Sequence, residues 1–177
     1  MRLFKQYVGI PLLLLFLMLL DGQISTLIAS FLPISFHLVC HLVLIFLLFI
    51  SVEVSDVTAF TIFLVIGILY DAYYFHVIGI ATLLLPLLSV LVNKYNTIMM
   101  GNKITRFLSV LILVFLFEFV SFLLANLVSL TSMEISTFIV YSLAPTMVLN
   151  SLLLLILQPV LEKMCIRDRV HAVNDEC

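Results

Sequence analysis

Ionisable side chains that interrupt long apolar runs are the residues of this sequence that could do chemistry. Asp21, Asp71 and Glu118 each stand among aliphatic and aromatic neighbours, and His37 and His41 share another such run. A charged group inside a bilayer costs roughly 2.5–3.5 kcal/mol on insertion scales, so these positions are functional candidates. In the predicted layout, no Lys or Arg lies at the membrane depth of any of the three acids. Each acid must therefore be protonated, hydrogen-bonded to hydroxyl, amide or imidazole groups, or turned towards another protein.

A metal site and a catalytic site are the two sharper interpretations of these residues. On a helix, His37, Cys40 and His41 would share one face at i, i+3 and i+4, and imidazole and thiolate both bind zinc or copper. No second cluster completes the coordination sphere, so helix packing is the preferred interpretation and we expect no metal and no cofactor. Catalysis would need a paired acid, a base or a nucleophile within reach. We therefore predict that the chain is not an enzyme.

The sequence gives specific expectations for the contacts of Asp21 and Glu118. If the second apolar run descends from the outer side, His41 reaches the depth of Asp21 and the two side chains could touch. The alternative is a polar interruption over residues 21–23 that meets water or a neighbouring subunit. Glu118 stands near the middle of its run. Further along this helix, only Ser121 and Asn126 are polar residues on roughly compatible faces. A protonated glutamate bonded to a neighbouring helix or partner is favoured over a proton relay.

The elements that must position these residues are transmembrane helices. Of the 177 residues, 64% are hydrophobic and 10% are charged, whereas soluble domains carry about 25% charged residues. The apolar runs are continuous rather than alternating, so helices are expected and a barrel is not. The predicted fold class is all-α, a polytopic membrane helical bundle. A helix needs about 17–25 residues to cross the hydrocarbon core, and six runs fit: 7–30, 34–51, 57–73, 76–92, 105–128 and 138–158.

The positive charges test this layout. With six crossings and both termini in the cytoplasm, all 8 Lys and Arg residues fall on the cytoplasmic side, as the positive-inside rule demands. Four crossings remain possible if the third and fourth runs form one re-entrant hairpin.

The end of the chain is set apart. Residues 1–163 are predicted to be a single transmembrane domain. The stretch MCIRDR, which begins the tail 164–177, resembles the translation of a transposase adapter used in sequencing libraries. We predict that this tail is a sequencing artefact and assign no function beyond Lys163.

The arithmetic of length places Asp71. Two crossings between Asp56 and Asn93 leave room only for a very short outer turn, predicted near residues 73–76, so Asp71 falls at the external end of its helix. Gly67 and Gly79 flank it at −4 and +8, where glycine permits close helix approach or a tight re-entry.

Two motifs carry a family resemblance. Residues 67–71, GILYD, followed by IGI at residues 78–80, resemble the G-h-h-x-D…h-G-h signature of the rod shape-determining protein MreD family. Ala144, Pro145, Thr146 and Asn150 resemble that family's proline and asparagine segment. Phe75 departs from the pattern, because the family often has a small residue four positions after the aspartate.

The resemblance implies a non-enzymatic integral protein of the bacterial plasma membrane within the cell-elongation complex. Such proteins scaffold MreC, a single-span protein, and through it the actin-like MreB, a SEDS-type polymerase and a class B penicillin-binding protein. Membrane lipid is an expected contact and nucleic acid is not. The residues expected to bind a partner or shape the bundle are Asp71, Gly67, Gly79, Asp21, Glu118, Pro145 and Asn150.

The competing interpretation is the six-span substrate-binding subunit of an energy-coupling vitamin transporter. Such subunits often carry small-x-x-x-small motifs on the first helix, and the first run here has none. A neighbouring MreC-like gene would favour the scaffold, and an ATPase or vitamin-biosynthesis cluster would favour transport.

Overall fold

The computed structural model describes residues 9–31, 36–75, 79–99, 101–131 and 133–174. Every regular element in these ranges is a helix, and no strand occurs in them, which confirms the predicted all-helical class. The helices are α1 (Ile10–Phe31), α2 (Leu42–Glu53), α3 (Asp56–Tyr70), α4 (Ile80–Lys94), α5 (Asn96–Met99), α6 (Lys103–Leu127), α7 (Ile135–Phe138) and α8 (Ala144–Asn174).

Four helical stretches are long and apolar enough to cross a membrane: Ile10–Phe31, Asp56–Tyr74, Lys103–Leu127 and Ile135–Pro159. They correspond to the first, third, fifth and sixth predicted runs. The second and fourth runs contain shorter apolar helices, Leu42–Ser51 and Ile80–Lys94. Helix length alone therefore supports a membrane protein with four candidate spans.

The short helix α2 forms the centre of the bundle. Its residues 42–45 and 47–50 are all buried, and it contacts α1, α3, α4, α6 and α8. A helix that is hydrophobic on every side is one that other elements enclose. The sequence LVLIFLLFI therefore marks the core of the bundle rather than a face towards lipid.

The segment that leads into α2 differs from the prediction. Residues 36–41 are not helical, and α2 begins only at Leu42, so a continuous helix over 34–51 is wrong. His37, Cys40 and His41 consequently do not share a helical face, and the spacing argument for a metal loses its basis. Non-helical backbone inside a bilayer must satisfy its polar groups within the protein.

Helices α3 and α4 form the most extensive helix pair. The chain continues beyond α3 through a π-helical turn, Asp71–Phe75, and α4 starts at Ile80. The outer turn predicted over residues 73–76 is wrong for residues 73–75, which are helical, and His76 lies outside the described residues. The helical backbone therefore continues through Phe75, into the predicted turn.

The last helical stretch is also interrupted by a π-helical turn, Ile139–Leu143, between α7 and α8. The backbone of α8 continues to Asn174, whereas side chains are described only as far as Pro159. The domain boundary at Lys163 and the artefactual origin of the tail stay predictions.

Candidate functional site

Asp71 caps the start of α4 from the opposite helix. Its Oδ1 accepts the N–H of Ala81 at 2.7 Å, and its Oδ2 accepts the N–H groups of Gly79 and Thr82 at 2.8 and 2.9 Å and the Thr82 hydroxyl at 2.7 Å. The first turn of a helix leaves its N–H groups without partners, and the helix dipole favours a negative group there. The N-cap residue Gly79 has no side chain to serve them, so Asp71 does.

The two flanking glycines allow this cap to form. A Cβ on Gly67 would lie 2.7 Å from the carbonyl oxygen of Ala81 and 2.8 Å from Cα of Thr82, so only glycine lets α3 approach the first turn of α4 this closely. Gly79 has a φ of 138°, a backbone conformation that disfavours every side chain. Close approach, cap and reversal therefore form one unit, and Asp71 is completely buried within it.

Asp21 repeats the arrangement at the start of the central helix. Its Oδ1 accepts the N–H of Leu42 at 2.8 Å and its Oδ2 accepts that of Val43 at 3.2 Å. His41, at the N-cap position of α2, makes no capping bond with its own side chain. Asp21 is 2% exposed, so the polar interruption facing water or a subunit is wrong for this residue, and its hydrogen bonds run to backbone rather than to the imidazole of His41.

The proline and asparagine segment of α8 holds the non-helical residues 36–41. Asn150 accepts the N–H of His41 at 2.8 Å and donates to the carbonyl of Val39 at 2.9 Å, and the Thr146 hydroxyl oxygen accepts the N–H of Val39 at 3.2 Å. Thr146 and Asn150 are completely buried. One turn of α8 thus provides hydrogen-bond partners for backbone N–H and C=O groups of the non-helical segment. In a sheet, a neighbouring strand would provide such partners.

Pro145 leaves a backbone carbonyl of its own helix free to accept a further hydrogen bond from the segment. Proline has no N–H, so a helix loses the bond to the carbonyl four residues earlier. That carbonyl belongs to Tyr141, and it accepts the N–H of His37 at 2.9 Å. Pro145 therefore opens the helix at the place where the segment docks.

His41 and Glu118 join α6 to the same centre. Nε2 of His41 lies 2.7 Å from Oε1 of Glu118, and both side chains are buried. The ring of Phe117 contacts the imidazole at a centroid distance of 5.3 Å. Glu118 is thus bonded to an imidazole group, and His41, which was considered as a possible contact of Asp21, pairs with Glu118.

The seven predicted residues fall into two groups. Gly67, Asp71 and Gly79 form what we term the hairpin cap. The other four, together with residues 36–42, form what we term the central cap: Asp21, Glu118, Pro145 and Asn150. In both groups the polar side chains are hydrogen-bonded to backbone groups or to other side chains of the bundle. Among the described residues, no three His, Cys, Asp or Glu side chains gather as metal ligands.

Two contributing residues were missed by sequence reasoning. The Ser25 hydroxyl oxygen accepts the N–H of Cys40 at 2.8 Å, and the Tyr74 hydroxyl donates to the carbonyl of Met18 at 2.7 Å. The available signal was an absence: neither HLVLI nor GIATL has Ser, Thr, Asp or Asn at the N-cap, so a capping group had to come from elsewhere.

Comparison with known proteins agrees with the two motifs. A family model described as rod shape-determining protein MreD matches residues 3–167. The cell shape-determining protein MreD of Streptococcus pneumoniae (strain ATCC BAA-255 / R6) is 47% identical over 163 residues, which cover 92% of this chain and 98% of that protein. No solved structure matches the chain. The match spans both caps, and the chain belongs to the rod shape-determining protein MreD family.

Proposed function

We propose that this protein is a non-enzymatic scaffold of the cell-elongation complex. In this role it holds an MreC-like single-span protein in the bacterial plasma membrane and, through it, a SEDS-type polymerase and a class B penicillin-binding protein. Membership of a cell shape-determining family supports a role in cell shape. The observation that carries the scaffold role is that Asp21 and Asp71 accept hydrogen bonds from the first turns of helices, while Glu118 pairs with the imidazole of His41. Such acids rigidify a bundle and are not positioned to act on a substrate.

The proposed scaffold crosses the membrane six times with both termini in the cytoplasm. The 12 residues of α2 rise only about 18 Å at 1.5 Å per residue. The six non-helical residues before it can add up to about 20 Å, because extended chain covers about 3.3–3.6 Å per residue. Helix and segment together can therefore cross about 30 Å of hydrocarbon, which the helix alone cannot.

The proposed docking face for the single-span partner is a groove between α1 and α3. The groove has a volume of about 310 Å³ and is almost wholly apolar, and its lining residues are Leu15, Met18, Leu19, Leu69, Ala72 and Tyr73. Helices in membranes associate by close packing around small side chains, with polar groups as additional contacts. Ala72 permits such an approach, and Tyr73, which is exposed, is a polar residue of the lining.

Site-specific photocrosslinking in cells tests this proposal. A photoreactive residue at Leu19 or Tyr73 is expected to capture the MreC-like protein, whereas one at Leu87, which is 59% exposed on α4, is the matched control. Capture from Leu87 alone would move the docking face to α4. Absence of the MreC-like protein from the products at every exposed position, with normal cell shape when the protein is depleted, would refute the scaffold role.

Topology has a separate test. A fluorescent reporter fused after Lys163 is expected to fold in the cytoplasm, and an alkaline phosphatase fused after Leu130 is expected to be active outside. An active phosphatase after Lys163 would contradict the proposed orientation.

A further inference from the structure

The hydroxyl of Tyr74 joins the two walls of the groove between α1 and α3. It donates to the carbonyl of Met18 at 2.7 Å. Met18 lines the groove from α1, and Tyr73, which precedes Tyr74 in the sequence, lines it from the opposite side. The pair α1 and α3 packs much less extensively than the pair α3 and α4. A single hydrogen bond across this pair therefore has more weight in setting the distance between the two walls.

Gly22 leaves the space in which the Tyr74 hydroxyl lies. A Cβ on Gly22 would stand 2.5 Å from the hydroxyl oxygen of Tyr74 and 3.3 Å from two carbons of its ring. The ring has little room to move aside, because the rings of Tyr70 and Tyr73 contact it at centroid distances of 4.6 and 4.9 Å. Gly22→Ala would therefore push the hydroxyl away from the carbonyl of Met18.

Gly22 also marks one end of the groove on α1. The lining residues on this helix are Leu15, Met18 and Leu19. Gly22 comes three positions after Leu19 and four after Met18, so it continues the same helical face. The Tyr74 hydroxyl thus lies at the end of the groove, and Tyr74 is not itself one of the lining residues.

The π-helical turn Asp71–Phe75 positions Tyr74 for this contact. A π turn closes its hydrogen bond over one more residue than an α turn, so its side chains point in other directions than those of a continuous α-helix. Within this single turn, Asp71 bonds the start of α4 and Tyr74 bonds α1. The turn therefore connects α3 to both neighbouring helices.

We propose that Tyr74 and Gly22 form a joint that sets the separation of α1 and α3 and so positions the groove for a partner's transmembrane helix. Tyr74 is a positioning residue, because it holds Met18, which lines the groove, and does not line the groove itself. The partner helix presents aliphatic side chains, since the groove is almost wholly apolar and membrane helices associate by close packing. This inference rests on the proposed scaffold function, in which the groove is the docking face, and names the residues that control it.

The separation of α1 and α3 is measured in the purified full chain without any partner. Spin labels on genetically encoded ketone side chains at Leu12 and Val65, which are 67% and 48% exposed on α1 and α3, report the distance between the two helices. Tyr74→Phe removes the hydroxyl and keeps the ring, and Gly22→Ala displaces the hydroxyl. Both variants are expected to shift or broaden the distance distribution.

Two further variants sharpen this measurement. Thr146→Val is the matched control, because it removes the hydroxyl that accepts the N–H of Val39 on α8, which does not line the groove. It should leave the distance between the labels unchanged. The double variant Gly22→Ala with Tyr74→Phe should resemble Tyr74→Phe alone, because the oxygen that the added methyl group would meet is gone.

Photocrosslinking in cells measures the effect on docking. With a photoreactive residue at Leu19, Tyr74→Phe and Gly22→Ala are each expected to lower the yield of the captured single-span partner, relative to the amount of protein in the membrane. The expected loss is about fivefold, the factor that corresponds to the net contribution of one hydrogen bond. Thr146→Val should leave the yield unchanged.

The outcomes separate this inference from the scaffold proposal. Unchanged distances in both Tyr74→Phe and Gly22→Ala would overturn the joint, whatever the partner does. Changed distances with unchanged capture would overturn its role in positioning the groove, and so would equal losses of capture in Tyr74→Phe and Thr146→Val. Changed distances in a chain whose Leu19 position captures no partner even without these substitutions would support the joint and refute the proposed docking face.

Discussion

Replacing Asp71 by alanine is expected to weaken the packing of α4 against α3 and so to lower the stability of the protein, rather than to remove a surface contact. The carboxyl group accepts four hydrogen bonds from Gly79, Ala81 and Thr82. Alanine removes every acceptor at once and leaves the first turn of α4 without a cap. Gly79 is exposed and its N–H can be rehydrated. Ala81 is completely buried, so its N–H stays without a partner.

The size of the effect follows from two contributions. Loss of an N-cap costs about 0.5–2 kcal/mol, and an orphaned buried donor costs about 1–3 kcal/mol. The free energy of unfolding of Asp71→Ala should therefore fall by about 3 kcal/mol, or roughly 150-fold in the unfolding equilibrium. Asp71→Asn should fall between this variant and the wild type. Its amide oxygen keeps an acceptor, whereas its amide N–H₂ faces the donors of α4.

Reversible unfolding in mixed micelles by titration with a denaturing detergent measures this difference. Asp56→Ala is the matched control, because Asp56 is an exposed acid in the first turn of α3 and should change stability little. The order expected is wild type, Asp71→Asn, then Asp71→Ala. If the free energies of unfolding of Asp71→Ala and Asp56→Ala differ by less than about 1 kcal/mol, the hydrogen bonds to α4 contribute far less than an orphaned buried donor would cost, and the cap explanation is wrong.

Three further changes address the contacts around the caps in the same unfolding assay. Gly67→Ala should destabilise the protein by about 1–3 kcal/mol because the added methyl forces α3 from α4, whereas Gly101→Ala, with its nearest contacts at 3.5 Å, should be neutral; equal effects would exclude the close approach as the cause. A double-mutant cycle between His41→Phe and Glu118→Leu should give a coupling of about 0.5–3 kcal/mol, and strict additivity would mean that the pair does not interact. Pro145→Ala restores an N–H that competes for the Tyr141 carbonyl, so amide hydrogen exchange at His37 should accelerate, and unchanged exchange would contradict that role.

Residue spacing predicted the hairpin cap well. Gly67, Asp71 and Gly79 were identified as one unit because a short reversal between two apolar runs demands glycine where backbones approach. The contacts of the hairpin cap are local in sequence, since all three residues lie within a stretch of 13 positions. Local sequence therefore carries most of the information about this part of the fold.

The central cap was predicted less well, and its error has one physical cause. The run 34–51 is apolar throughout, and hydropathy cannot distinguish a helix from an irregular buried segment. Residues 36–41 can be non-helical because Thr146 and Asn150 form hydrogen bonds with backbone groups of this segment. Those partners lie more than 100 positions away. His41 and Glu118 are also far apart in the sequence, by 77 positions, so the sequence suggested Asp21 as a possible contact of the imidazole, whereas the imidazole bonds Glu118.

Composition and hydropathy by themselves determined that this is an all-helical membrane protein, because 10% charged residues cannot clothe a soluble domain. Residue spacing determined the family. Only the tertiary structure decided what the buried acids do. Asp21 and Asp71 each lie on one helix and serve the first turn of another, and no pattern within either helix records that contact. A helix start that lacks its own cap shows only that an acceptor is needed, and three-dimensional packing determines which residue supplies it.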